Sequence, residues 1–406
     1  VSNKARELLP SAGPVEVLLK EPSQVSRQIS HRPSYVPELD GLRTLAILGV
    51  LLFHLEVPGF ALGWTGVPLF FVLSGFLITR ILLSSKEGPN YFSRFYIRRS
   101  LRIFPIYYIV MLLSFAVFYS VDKEQIKYLK YYATYLQTWP ILHTQFKSVW
   151  VLGHTWTLAI EEQFYLVWPL IIFFSSRMTI SLLSMALIIA APLIRILVLD
   201  DSNVYLSFSW LPAETDTLSA GSLLATMLDG GRERNLSSHL KVILCVLVGS
   251  FVWISALVWL SNGQSAFWEP ANWARQPQNV VFISALAIFF AAFVAAALVS
   301  PVWLRWLRHP AMVYVGRRSY GIYLYHPFVF WFTDLPYAHR IVSSRYFSWL
   351  GQVQSPIIIW SLKLLITFAI ACLSWKWVES PILELKEKAE RKWHKVRSGG
   401  NYSREH

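Results

Sequence analysis

The sequence predicts an all-α fold: a polytopic membrane helix bundle of about ten transmembrane helices with both termini cytoplasmic. Composition is the first ground. Of 406 residues, 54% are hydrophobic and 15% are charged, against roughly 25% charged in an average soluble domain. Mean hydropathy is +0.42. Segmentation is the second: apolar runs of about the length that crosses a hydrocarbon core of about 30 Å recur along the chain. The third is where the bases lie. The net charge is +13, from 37 Lys and Arg against 24 Asp and Glu. It sits in short loops between the apolar runs, as positive-inside topology expects, rather than on a face for nucleic acid.

Residues 1–35 are polar, with Pro, Ser and scattered charge, and hold no apolar core long enough for a signal peptide; they read as a disordered cytoplasmic tail. Ten spans follow, near 42–58, 64–84, 103–121, 154–175, 179–199, 211–229, 241–261, 279–299, 312–333 and 356–378. Loop charge orients them. Loop 85–102 carries Lys86, Arg94, Arg98, Arg99 and Arg102 against Glu87. Arg232, Arg234 and Lys241 follow span six, and Arg305, Arg308 and His309 follow span eight. With ten spans these loops and the basic tail share the cytoplasmic side. The opposite loops, Asp200–Asn203 and 262–278, are poorer in bases. Segment 122–153 contains YLKYYATYLQTW, whose Tyr and Trp suit an extracytoplasmic interfacial helix; an eleventh span there would break the charge asymmetry downstream. Residues 383–406 form a basic cytoplasmic tail, and 381–396 reads as a helix on the membrane face or as a solvated one. Cys245 and Cys372 each lie inside an apolar run, as packing residues.

Ionisable groups inside spans cost about 2.5–3.5 kcal/mol each, so they usually face a cavity. Arg43 and His54 are eleven residues apart in the first span, which places them on one face and about 16 Å apart along the axis. Asp40 is placed to hold the Arg43 guanidinium. His54 reads equally as an interfacial ring bonded to a carbonyl and as a functional group. In WTLAIEEQFYLVWP, Glu161 shares a face with His154, Thr157 and Tyr165, while Glu162 is offset by about 100°. Arg94, Arg98 and Arg102 form an i, i+4, i+8 stripe. Such a stripe serves topology and anionic lipid, or clamps a phosphorylated ligand. Ser74-Gly75 suits close helix packing, and no base adjoins Ser74 in sequence. Ser319, Tyr323 and His326 fall near one face of the ninth span, beside Tyr320, and Glu379 closes the last.

PELDGLRTLAILGVLLFH, GVPLFFVLSGFLIT, RRSLRIFPIYY, WTLAIEEQFYLVWP, SYGIYLYHP and WVESP, in that order across 36–382, resemble the blocks of the acyltransferase 3 family. The resemblance implies a membrane O-acyltransferase that moves an acyl group, typically acetyl, from cytoplasmic acyl-CoA to a hydroxyl of a surface polysaccharide, O-antigen or exported glycan. It implies acyl-CoA as donor, no metal, contact with membrane lipid, a glycan or lipid-linked glycan acceptor, polysaccharide-assembly partners, and a bacterial inner-membrane location. The family's first-helix histidine matches His54, its arginines match Arg43, Arg98 and Arg102, and its glutamates match Glu161 and Glu162. One difference stands out: Glu214 occupies a position where the family often has Arg, two residues before Asp216. The expected site has His54 as general base, Glu161 or Glu162 as its carboxylate partner, and Arg43, Arg98 and Arg102 on the CoA phosphates. Asp40, Tyr165, Ser319, Tyr320 and His326 are expected to bind substrate. Direct transfer is favoured over an acyl-enzyme, since no nucleophile adjoins His54 in sequence. The rival reading is a secondary transporter or flippase, which predicts inverted repeats that the sequence does not display.

Overall fold

In a computed structural model of the chain, the described residues are 35–121, 123–139, 150–198, 206–228, 238–260, 277–334 and 356–384. Each of the ten apolar segments coincides with a long helix. These are α1 (Pro37–His54), α2 (Gly66–Ser85), α3 (Tyr91–Val121), α4 (Trp156–Phe174) and α5 (Arg177–Val198). They continue as α6 (Leu211–Leu228), α7 (Leu240–Leu260), α8 (Pro277–Val299), α9 (Pro310–Asp334) and α10 (Pro356–Ser374). No strand occurs among the described residues. The tail through Ser34 lies outside them, and helix 381–396 is described only as far as Glu384.

Among the described residues, 7 helices are long and apolar enough to cross a membrane, so the chain is a multi-pass membrane bundle. The three that fall short are α1, α6 and α9. They hold Glu38, Asp40 and Arg43; Glu214 and Asp216; and Arg317 and Arg318. Hydropathy averages along a helix, so the inward-turned Glu38, Asp40, Glu214 and Asp216 count against α1 and α6 as if lipid saw them, while in α9 the exposed Arg317 lowers the average.

Boundaries shift for local reasons. Helix α1 starts at Pro37, whose fixed φ and missing N–H suit the first turn, with Glu38 and Asp40 favourable at the positive end of the helix dipole. Helix α3 has 31 residues and is about 46 Å long. The expected loop 85–102 is therefore largely its first turns, and the arginines sit on a helix. Segment 123–139 is not one interfacial helix but pieces of 4 and 5 residues, Lys123–Ile126 and Leu129–Ala133. Side chains from α3 and α4 take up its carbonyls: Tyr107 Oη donates to Tyr132 O at 2.8 Å, and Gln163 Nε2 to Tyr135 O at 2.9 Å.

Helix α6 packs on α2, α5 and α8, and α1 packs on α9 and α2. Close approach of α2 and α6 depends on two glycines. A Cβ on Gly75 would lie 1.9 Å from Leu218 O, and one on Gly221 would lie 2.0 Å from Val72 O. At that contact Trp168 Nε1 donates to Thr79 Oγ1 at 2.8 Å, and Thr79 Oγ1 to Ser222 Oγ at 2.9 Å, tying α4 to α2 to α6. Arg195 of α5 is fully buried. It donates to Ala213 O at 2.8 Å, Val280 O at 2.7 Å and Asp216 Oδ2 at 2.5 Å, joining α5, α6 and α8.

Candidate active site

Two cavities lie beside α1, one near each end. The first takes Arg43 from α1, Ser74 from α2, Arg99 and Arg102 from α3, Glu161 from α4, and Ser319 and Tyr320 from α9. The second takes His54 from the end of α1, His154 and Trp156 from the entry to α4, Trp64 from the turn before α2, and Glu214 from α6. Val67 and Tyr323 line both. Arg43 and His54, eleven residues apart, therefore mark the two cavities about 16 Å apart along α1.

In the arginine cavity, Arg99 Nη2 donates to Tyr165 Oη at 2.6 Å, and its guanidinium lies 4.2 Å from the centre of that ring. Tyr165 Oη donates to Ser74 Oγ at 3.1 Å, and Ser74 Oγ donates to Glu161 Oε1. The chain Arg99–Tyr165–Ser74–Glu161 fixes the wall through groups far apart in sequence. Arg43 is held by Asp40 at 3.3 Å. Arg102 feels the charges of both Arg43 and Arg99. Among the described residues the lining of this cavity holds three guanidiniums and one carboxylate, that of Glu161, which suits a polyanion, and the forks suit phosphate.

In the histidine cavity, His54 Nδ1 lies 2.9 Å from Val50 O. A carbonyl only accepts, so Nδ1 carries the proton and Nε2 keeps its lone pair. The carbonyl bond that the sequence set against a functional role thus fixes the tautomer a base needs. The His326 ring centre lies 5.0 Å from that of His54 and 5.2 Å from that of His154. His326 Nδ1 likewise donates to Tyr323 O at 2.7 Å. Among the described residues no hydrogen-bond partner meets either ring nitrogen of His154 or Nε2 of His326, and all three are buried. Among the described residues no group of three His, Cys, Asp or Glu is arranged to hold a metal ion.

The sequence-predicted residues divide between these places. His54 lines the histidine cavity; Arg43, Arg102, Glu161, Ser319 and Tyr320 line the arginine cavity. Tyr320 Oη is bonded to Ile103 O at 2.8 Å. Tyr165 stands just behind the wall, through its bonds to Arg99 and Ser74. Arg98 lines neither cavity, and Arg99 takes the expected place. Asp40 faces protein rather than a cavity: it takes Tyr35 Oη at 2.7 Å, Arg43 and Arg317. Burial first, then that carboxylate, pushes the Tyr35 hydroxyl above its ordinary pKa. His326 is buried within the imidazole cluster. The expected carboxylate partner of His54 is not formed. Its Nδ1 is taken by Val50, Glu161 is bound to Ser74 in the other cavity, and Glu162 lines neither. Arg99, His154, Glu214 and Tyr323 complete the site. His154 and Tyr323 were already marked by sharing helix faces with Glu161 and His326, whereas Arg99 and Glu214 needed the tertiary fold.

O-acetyltransferase OatA of Staphylococcus aureus, in strains NCTC 8325 / PS 47, COL and MRSA252, is 27% identical to the chain over 386 residues. The alignment covers 88% of this chain and 59% of each relative, so the chain spans less than two thirds of their length. No solved structure matches the chain. A family model described as acyltransferase domain matches residues 36–376, which takes in both cavities and every helix around them, and the chain therefore belongs to that acyltransferase family.

Proposed function

We propose that this protein is a membrane O-acyltransferase that moves an acyl group, acetyl in the simplest case, from cytoplasmic acyl-CoA to a carbohydrate hydroxyl. The observation that carries this reading is the pair of abutting cavities, one walled by three guanidiniums and the other by imidazoles, with Tyr323 common to both. The name O-acetyltransferase on relatives at 27% identity supports it.

Arg43, Arg99 and Arg102 would grip the phosphates of the donor. The pantetheine arm would then carry the thioester past Tyr323 toward His54, about 16 Å from Arg43 along α1. In the histidine cavity the acceptor oxygen attacks the thioester carbonyl carbon while His54 Nε2 takes its proton. The carbon–sulfur bond breaks, the thiolate leaves toward the arginine cavity, and the proton on His54 is passed to it. Ester and free CoA thiol balance the step. Trp64 and Trp156 offer apolar faces for the flat side of a sugar ring.

The test is thiol release from acetyl-CoA by the purified protein in lipid nanodiscs, with and without a panel of oligosaccharides, paired with mass spectrometry of the esterified product. Acceptor-dependent thiol release that His54→Ala reduces by about 10²-fold or more is expected. Full activity in a folded His54→Ala protein would remove the base. Acetyl-CoA or sugar crossing sealed vesicles without thiol release would replace this reading with transport.

A further inference from the structure

The acid nearest to His54 in function is none of those its sequence neighbourhood offered. Among the described residues the histidine cavity is lined by one carboxylate, that of Glu214 on α6. Its side chain is 2% exposed, and the hydrogen bond it receives comes from Thr217 Oγ1 at 3.5 Å. That hydroxyl makes its closer bond to Glu214 O, at 2.7 Å. Two residues on, Asp216 holds Arg195 directly, at 2.5 Å, and takes Ser284 Oγ at 2.6 Å and the Thr217 amide at 3.0 Å. The buried set is thus one guanidinium against two carboxylates. The guanidinium is bonded to Asp216, and Glu214 faces the cavity.

The charges that meet His54 can be counted by element. Helix α9 brings His326 and Tyr323, whose hydroxyl donates to His154 O at 2.7 Å. The entry to α4 brings His154, and α6 brings Glu214. The start of α2 and α8 bring Val67, Pro68 and Ile283, without charge. On its own side Glu56 follows two residues later and is exposed. When His54 accepts a proton it becomes a cation beside two other imidazoles, in a cavity largely walled by aromatic and aliphatic side chains. An opposite charge already in place lowers the cost of that cation.

We infer that Glu214 is the counter-charge for the imidazolium that forms on His54 during acyl transfer. It is a positioning residue that acts across the cavity through the imidazole rather than by holding donor or acceptor. The inference rests on the reading of His54 as the base.

The experiment uses the full chain in nanodiscs with acetyl-CoA and the best oligosaccharide of the panel above. Wild type is measured first. Absence of any transfer there counts against the proposed function and leaves the coupling between Glu214 and His54 to be read by nothing else, so the comparison starts only from an active protein. Glu214→Gln should unfold at the wild-type temperature, bind donor with unchanged KM, and lose about 10²-fold in kcat. Removal of a negative neighbour makes the imidazolium easier to deprotonate, so the acid limb of kcat should move down by about one pH unit. Glu161→Gln, whose carboxylate is in the other cavity, should leave that limb in place. Glu214→Asp keeps the charge but draws it back by one methylene, and should fall between wild type and Glu214→Gln in both readouts. If the Gln variant does not fold, the Asp variant decides. Lower turnover with a limb that has not moved assigns Glu214 a merely structural role and overturns the inference. So does wild-type turnover in a folded Glu214→Gln protein, or a limb that moves in Glu161→Gln instead.

Discussion

At the scale of single residues, the site turns on which arginine faces the arginine-walled cavity. Arg98 and Arg99 both lie near the face of Arg102, at i, i+4 and i, i+3, and helical phase alone does not separate them. Tyr165 does: it takes a hydrogen bond from Arg99 at 2.6 Å and stacks under its guanidinium. Arg99→Lys keeps the charge but loses the planar fork and the stack. It should raise KM for acetyl-CoA about tenfold, the equivalent of ~1.5 kcal/mol of charged hydrogen bonding, and leave the acceptor dependence as it was. Arg98→Ala should raise it by less. Equal effects of the two, measured by initial rates over a donor series, would return the clamp to Arg98. The same limit governed the glutamates. Phase along α4 correctly separates Glu161 from Glu162, but it does not say at what depth a neighbouring helix opens a cavity. The acid that lines the same cavity as His54, Glu214, lies 160 residues away in sequence, where no periodicity connects the two. His54 itself was legible because an imidazole in an apolar run is costly wherever it points.

At the scale of elements, the α2–α6 contact sets how Ser74 and Glu214 are presented. Gly75 and Gly221 allow backbone to meet backbone there, and the added Cβ of either would fall about 2 Å from a carbonyl oxygen. Gly221→Ala should lower the unfolding temperature in detergent, by overpacking worth about 1–3 kcal/mol. Gly249→Ala on α7, where a Cβ meets nothing within 4 Å, should be neutral or stabilising by up to ~1 kcal/mol through helix propensity. Equal responses would show that the contact tolerates a wider separation. Helix existence was readable from apolar length. Helix starts were less so: α3 begins twelve residues before its apolar run because basic residues with good helix propensity extend it beyond the core. The breaking of 123–139 into short pieces was not readable, since it depends on Tyr107, Tyr108 and Gln163 reaching its carbonyls.

At the scale of the whole molecule, polarity and depth are sorted helix by helix. The helices that fail as spans on composition, α1, α6 and α9, supply Arg43, His54, Glu214, Ser319, Tyr320 and Tyr323 to the cavities, while α5 and α7 turn long apolar side chains outward. Val248, midway along α7 and 62% exposed, should tolerate Leu. Val248→Arg should weaken insertion by about 2.5–3.5 kcal/mol, read as a lower inserted fraction in a translocation assay; unchanged insertion would mean that this face does not meet lipid. The two cavities beside α1 carry a further consequence, which concerns bioenergetics rather than catalysis. Two chambers that meet inside a membrane bundle are a hazard to an ion gradient, because a continuous file of water conducts protons. The side chains common to both chambers are Val67 and Tyr323. The phenol is pinned at 2.7 Å to His154 O and 2.8 Å to Thr157 Oγ1. A valine and a pinned phenol at the join would deny water a bridge from one chamber to the other, a barrier made by packing rather than by charge.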